Sequence, residues 1–185
     1  MSRLRIIAGE FGGRWIDANV TKATHPMGDR VRMALFSSLE SKGVIKGATV
    51  LDAFAGTGSL GLEAISRGAK RAVFIERERT AARLIENNVK LLAVTDRAKV
   101  INTTVSNWLD TSDQTEKYDL IFADPPYKNP QFSTVERLAE RLQFKGLMIL
   151  SYQGRLCVPN QPRGVVVVDT NRSYGEATLA VFQKI

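Results

Sequence analysis

Thr49-Val50-Leu51-Asp52-Ala53-Phe54-Ala55-Gly56-Thr57-Gly58-Ser59-Leu60-Gly61 marks a change of backbone regime. Thr49 to Phe54 is a short apolar run of the kind that forms a buried strand, and Ser59 to Arg67 has helical spacing closed by Gly68. Between them Gly56, Gly58 and Gly61 satisfy G-x-G-x-x-G, and Glu76 follows twenty residues after Gly56. Such glycines allow a tight turn and close backbone approach to a ligand, while the later acidic residue takes ribose hydroxyls. Taken literally, this is a dinucleotide-binding pattern. Asp52 argues against that reading, because a carboxylate four residues before Gly56 crowds a pyrophosphate and suits a cation.

Outward from this unit, strands and helices alternate. Arg71 to Glu76, Lys99 to Asn102, Tyr118 to Ala123 and Leu147 to Tyr152 read as strands. Thr80 to Leu92 and Phe132 to Leu142 read as helices. Alternation of this kind predicts βαβ units and a parallel sheet. Val165 to Asp169 and Thr178 to Phe182 are two further strands whose short connection permits only antiparallel pairing. Upstream, residues 3–8 and 13–18 predict a small hairpin around Gly12-Gly13. Asp29 is the expected N-cap of a helix reaching Ser41, ahead of Gly43. The expected fold class is α/β: a mostly parallel seven-stranded sheet, an antiparallel C-terminal strand and a small N-terminal hairpin and helix extension.

With 185 residues, the chain fits one globular unit with a sizeable core. The net charge of +7 favours polyanionic partners, and no block of basic residues marks a disordered tail. A lone Cys157 excludes an internal disulfide, and with His25 as the one histidine no zinc ligand set is available. No metal is expected. The aliphatic runs are too short for a membrane span and no signal sequence is visible, so the expectation is a cytoplasmic, monomeric protein with no membrane partner.

The second informative stretch is Tyr118-Asp119-Leu120-Ile121-Phe122-Ala123-Asp124-Pro125-Pro126-Tyr127. In an open parallel sheet ligands bind beyond the carboxyl ends of strands, so Asp124 to Tyr127 and Asp52 to Gly58 face one crevice. Two prolines remove N–H donors and leave an acceptor-rich turn. An exocyclic base amine needs such acceptors, because its lone pair is delocalised into the ring. Acceptors gripping its hydrogens favour pyramidalisation and aim the lone pair, which is positioning plus electrostatics. Tyr127 supplies a face on which a base can stack.

The order D-x-x-x-G-x-G resembles the first motif of Rossmann-like methyltransferases, and Asp-Pro-Pro-Tyr resembles the amino-methyltransferase motif. A closer resemblance spans nearly the whole chain. Arg5-Ile6-Ile7-Ala8-Gly9, Gly13-Arg14, Pro26, Asp29-Arg30-Val31-Arg32, Ala34-Leu35-Phe36, Leu51 to Gly58, Leu60 to Ala64, Ser66 to Ala69 and Asp124 to Tyr127 are similar to the bacterial RsmD family. That family methylates the N2 amine of a guanine in small-subunit ribosomal RNA. The resemblance implies S-adenosylmethionine as cofactor, held by Asp52, Phe54, Gly56, Gly58, Glu76, Arg77, Thr104 and Val105. It also implies Asp124, Pro125, Pro126 and Tyr127 at the reaction centre. The implied partner is ribosomal RNA, within the small subunit or an assembly intermediate.

No stretch is long enough for the separate target-recognition segment that DNA amino-methyltransferases carry. The spare piece is residues 1–42, an RNA-binding extension with Arg3, Arg5, Arg14, Lys22, His25, Arg30 and Arg32, preceding a catalytic domain over residues 43–185. Such cations grip phosphates without reading sequence. Arg30 and Arg32 diverge on a helix, so one of them points to the crevice. His25, Thr104 and Ser151 depart from the family pattern, which places Arg, Asp and an acidic residue there. Three other readings stay open at this point: a DNA adenine or cytosine amino-methyltransferase, a non-catalytic RNA-binding assembly factor, and a dinucleotide oxidoreductase.

Overall fold

A computed structural model describes residues 2–18, 27–126, 131–153, 164–174 and 177–185. In chain order the elements are β1 (Ser2–Arg5), β2 (Trp15–Ala18), α1 (Asp29–Ser41), β3 (Thr49–Asp52), α2 (Ser59–Ser66), β4 (Arg71–Glu76) and α3 (Arg79–Leu91). They continue with β5 (Ala98–Asn102), α4 (Val105–Thr111), β6 (Tyr118–Ala123), α5 (Phe132–Ala139), β7 (Leu142–Gln153), β8 (Val165–Tyr174) and β9 (Ala177–Lys184).

Strands β3 to β9 form one seven-stranded sheet in the order β5-β4-β3-β6-β7-β9-β8, and β1 and β2 pair as a separate antiparallel hairpin. The pairs β4–β5, β3–β4, β3–β6 and β6–β7 are parallel, while β9 runs antiparallel to both β7 and β8. Chain order reverses between β3 and β6. That switch point opens a crevice at the carboxyl ends of these two strands.

Both faces of the sheet are covered, which is why its strands read as continuous apolar runs rather than alternating ones. On one face Val50, Phe74, Leu120, Phe122 and Ile149 pack with Phe36 and Leu39 of α1, Leu62 and Ile65 of α2 and Ile85 of α3. On the other, Leu51, Ile75, Ile121 and Met148 pack with Trp108 and Leu109 of α4 and Val135 and Leu138 of α5. Ile6, Phe11 and Ile16 of the amino-terminal segment belong to the first of these cores.

That segment is fastened by polar contacts as well. The fully buried carboxylate of Glu63 accepts from Ile7 N at 2.8 Å, Ala8 N at 3.1 Å and Arg67 Nε at 2.7 Å. Ser66 Oγ accepts from Phe11 N at 3.0 Å and donates to Ala8 O at 2.6 Å. Gly9 is held at φ +86°, and a Cβ there would lie 2.0 Å from Ser66 O, so no larger residue fits. Further along, the buried Asn88 side chain pairs with the Asp17 backbone like a strand edge, accepting at 2.9 Å and donating at 2.8 Å.

Several expected boundaries shift. The hairpin strands are shorter than 3–8 and 13–18, because Ile7 and Ala8 give their N–H groups to Glu63 instead of to a neighbouring strand. The N-cap of α1 is Gly28 rather than Asp29, whose carboxylate turns to Arg32 at 2.9 Å. Helix α4, absent from the sequence reading, starts where Thr104 Oγ1 accepts from Asn107 N at 3.2 Å. Helix α5 ends at Ala139 rather than Leu142, and Leu142 instead opens β7, pairing with Tyr118. Among the described residues, no helix is long and apolar enough to cross a membrane.

Candidate functional site

Register brings the acidic residues together. Asp52 on β3 is aligned with Phe74 on β4 and with Phe122 on β6. Glu76 and Asp124 lie two residues beyond those partners, and side chains two apart on a strand share a face. The three carboxylates therefore project over one rim of the crevice, on the face covered by α1, α2 and α3. Ala123 pairs with Leu150, so Ser151 comes beside Asp124 from β7.

Each carboxylate has a distinct environment. Asp52 is 2% exposed, and its Oδ2 accepts from Gly61 N at 2.9 Å. Burial pushes its pKa up to about 8, opposed by the Gly61 bond and reinforced by the charges of Asp124 and Glu76. Asp124 keeps a partly open edge, yet burial raises it to about 6 against a lowering hydrogen bond from Ser151. Glu76 accepts from Gly56 N and Glu78 N, both at 2.7 Å, which fixes its plane across the glycine loop. Three converging carboxylates are a poor home for an anion and a good one for a cation.

The glycines divide the work. Gly61 serves packing: a Cβ there would lie 2.3 Å from Phe74 Cε1, so its absence lets α2 sit directly on β4. Gly58 adopts φ +74° as the N-cap of α2, against Ile85 of α3. Gly56, at φ +54°, has only Phe54 O, 3.9 Å away, near its missing Cβ among the described residues. That open space beside Glu76 and Asp52 is a cradle that a side chain would fill. The carboxylates of Glu76 and Asp52 are acceptors suited to a ligand's cationic end and hydroxyl groups, and the bare backbone at Gly56 suits close approach.

The remaining expected cofactor residues surround this centre unevenly. Phe54 is half-buried in the loop, Arg77 is exposed and 3.5 Å from Glu78, and Val105, the first residue of α4, is buried in the core. Thr104 is exposed, with its hydroxyl engaged in capping α4. Asn102, which the sequence reading passed over, donates to Glu76 O at 2.8 Å and Arg77 O at 3.0 Å. An amide directly after an apolar strand end was the available signal. At the reaction centre Pro125 is buried and Pro126 exposed, while Tyr127 lies outside the described residues.

Of the expected RNA-contacting cations, Arg3, Arg5, Arg14 and Arg30 are exposed, whereas Lys22 and His25 lie outside the described residues. Arg32 does not face the crevice. It is 1% exposed and donates to Arg5 O and to Asp29, so it ties α1 to the hairpin. Its Nε and Nη1 have no hydrogen-bond partner among the described residues, and desolvation lowers its pKa. Among the described residues, no three His, Cys, Asp or Glu side chains are grouped to hold a metal ion.

Comparison with known proteins bears on this arrangement. The sequence model of the family described as "Conserved hypothetical protein 95" matches residues 4–183. YlbH of Bacillus subtilis, named as a candidate rRNA methyltransferase, is 29% identical across 98% of this chain and 99% of its own length. Ribosomal RNA small subunit methyltransferase D of Haemophilus influenzae is 38% identical over 67% of this chain, and the match spans 64% of that protein. The solved structure of the Escherichia coli protein yhhF superposes with a TM-score of 0.84 at 28% identity, covering 99% of this chain and 98% of that one.

Proposed function

The chain belongs to the family described as "Conserved hypothetical protein 95", and from that premise we propose that it transfers a methyl group to the exocyclic N2 amine of a guanine in small-subunit ribosomal RNA. The observation that carries the reading is the convergence of Asp52, Glu76 and Asp124 over the Gly56 cradle at the β3/β6 switch point. S-adenosylmethionine is the donor, and when bound it supplies an electrophilic methyl group on a positively charged sulfur.

The chain's own groups then have separable tasks. Asp52 and Glu76 offer acceptors for the amino end and the ribose hydroxyls of the cofactor, and the backbone at Gly56 lies open to close approach. Asp124 accepts from one N–H of the target amine, and carbonyls of the Pro125-Pro126 turn can accept from the other. Both contacts favour the pyramidal amine, whose lone pair is then directed at the methyl group. Asp124 acts here as a positioned acceptor, so it must be ionised, and Ser151 favours that state. Tyr127 provides the stacking face for the guanine. Residues 1–42 form the extension that holds the RNA, through Arg3, Arg5, Arg14, Lys22, His25 and Arg30.

The decisive test offers labelled S-adenosylmethionine with unmodified small-subunit RNA, unmodified small subunits and duplex DNA, followed by mapping of the modified base. Label on guanine N2 of the ribosomal RNA is expected. Label on DNA alone, or none anywhere despite cofactor binding, would overturn the proposal.

A further inference from the structure

The hairpin carries more than cations. Cross-strand partners in an antiparallel pair share a face, and the register places Arg5 opposite Trp15 and Arg3 opposite Asp17. Leu4, Ile16 and Ala18 take the inner face, which leaves Arg3, Arg5, Trp15 and Asp17 outward. Trp15 is 55% exposed, an unusual place for the largest side chain in a segment otherwise so firmly docked. Arg3 is paired with Asp17 at 3.3 Å, whereas Arg5 has no acidic partner among the described residues. The Arg5 guanidinium lies over Gly13, with Nη2 3.3 Å from where a Cβ would be. Exposed Lys90 and Leu91 border the same edge, and Arg14 donates to Leu91 O at 2.9 Å.

The hairpin is fastened along α3, which sets its direction. Strand β2 runs beside α3, from the Arg14–Leu91 contact to the Asp17–Asn88 pair. One turn nearer the start of α3, Ile85 lies 3.1 Å from the Cβ position of Gly58. From Leu91 to Ile85 the helix rises about 9 Å. The outward face thus leads from the base of α3 towards the glycine loop.

We propose that this face, Trp15 flanked by Arg5 and Arg3, is a binding surface for an unpaired stretch of RNA, with a base stacked on the indole and phosphates on the arginines. The occupant follows from the combination. An exposed indole alone would suit any apolar partner, but with Arg5 free of any acidic partner among the described residues and the exposed Arg3 beside it the surface complements a polyanion with flat faces. The inference rests on the ribosomal-RNA reading and extends it to nucleotides beyond the methylated one.

Fluorescence tests it directly on the full chain. Of the two tryptophans, Trp108 is 4% exposed and covered by the Arg141 guanidinium at 4.9 Å, so a quencher reaching the surface reports Trp15. Titration with a single-stranded oligoribonucleotide is expected to quench emission, and titration with inorganic polyphosphate is not. Trp15→Ala should weaken oligonucleotide binding about tenfold, with the salt slope of binding retained, and Trp15→Phe should keep most of the affinity. Arg5→Ala should lower the salt slope by about one. Unchanged affinity in Trp15→Ala would overturn the proposal, as would equal quenching by polyphosphate. So would a concentration-dependent dimer in sedimentation that Trp15→Ala disperses. Methylation of ribosomal RNA by the unaltered enzyme is scored separately: methylation with unchanged Trp15→Ala affinity removes this surface alone, whereas its absence removes the catalytic reading.

Discussion

Asp52→Asn isolates the charge at the centre of the site. Asparagine keeps an oxygen for the Gly61 N–H, so the change removes ionisation and little else. In the folded protein Asp52 titrates at about 8 rather than at its ordinary 3.8, so the native state holds a proton that the unfolded chain releases. The sign follows from that difference: stability of the unmodified protein falls as pH rises from 3.8 towards about 8, then levels off. At about 1.4 kcal/mol per unit, the loss is about 4 kcal/mol at pH 7 and about 6 kcal/mol above pH 8. Asp52→Asn escapes it, so the variant without cofactor should be the more stable, by nothing measurable near pH 4 and by about 4 kcal/mol at pH 7. For a chain of this size that difference is a melting-temperature gain of roughly 8–16 °C. Thermal unfolding at pH 5, 6, 7 and 8, with and without S-adenosylmethionine, reads both halves of the argument. The cofactor should stabilise the unmodified protein increasingly up to pH 8 and the variant hardly at all. A melting difference that stays flat from pH 5 to 8, or full cofactor binding by the variant, would refute the assignment of Asp52 as a buried, cation-seeking carboxylate.

Three further outcomes follow from the same geometry. Ser151→Ala removes the hydrogen bond that lowers Asp124, so the acid limb of the pH–rate profile, set near 6, should move up by as much as about one unit, with Ser151→Thr restoring it. An unshifted profile would mean that Ser151 does not act through Asp124. Gly61→Ala forces a Cβ into the Phe74 ring and should destabilise by about 1–3 kcal/mol in urea unfolding. Glu63→Gln puts a neutral amide against Ile7 N, Ala8 N and Arg67, whose buried guanidinium then keeps one carboxylate, that of Glu40 at 2.6 Å. A loss of about 1–3 kcal/mol is expected, with early protease cleavage in residues 1–18 as the local readout.

Much of this protein is written locally. The apolar runs at Val50, Phe74 and Leu120, separated by helical spacing, dictate parallel strands under helices, because a strand buried on both faces has no polar side to alternate with. Asp52, the spaced glycines and Asp124-Pro125-Pro126 are likewise local signals, since each depends on backbone geometry within a few residues. Helix α4 was missed because its apolar face, Val105, Trp108 and Leu109, is too short to show a period, and only packing against the sheet sustains it.

What tertiary structure alone decided concerns distance in sequence. Arg30 and Arg32 are equivalent by residue type, yet Arg30 is exposed, while Arg32 is buried by a backbone carbonyl twenty-seven residues upstream. Glu63 reads as an ordinary helix-surface residue until the chain end folds over it. Trp15 is turned outward opposite Arg5 by the hairpin register, which a four-residue strand does not reveal by itself. The pKa values of Asp52 and Asp124 arise in the same way, from burial and from neighbours on β4 and β7. Sequence sets which groups exist and what short-range geometry they adopt. Solvation and charge proximity are properties of the assembled interior, and only the fold fixes them.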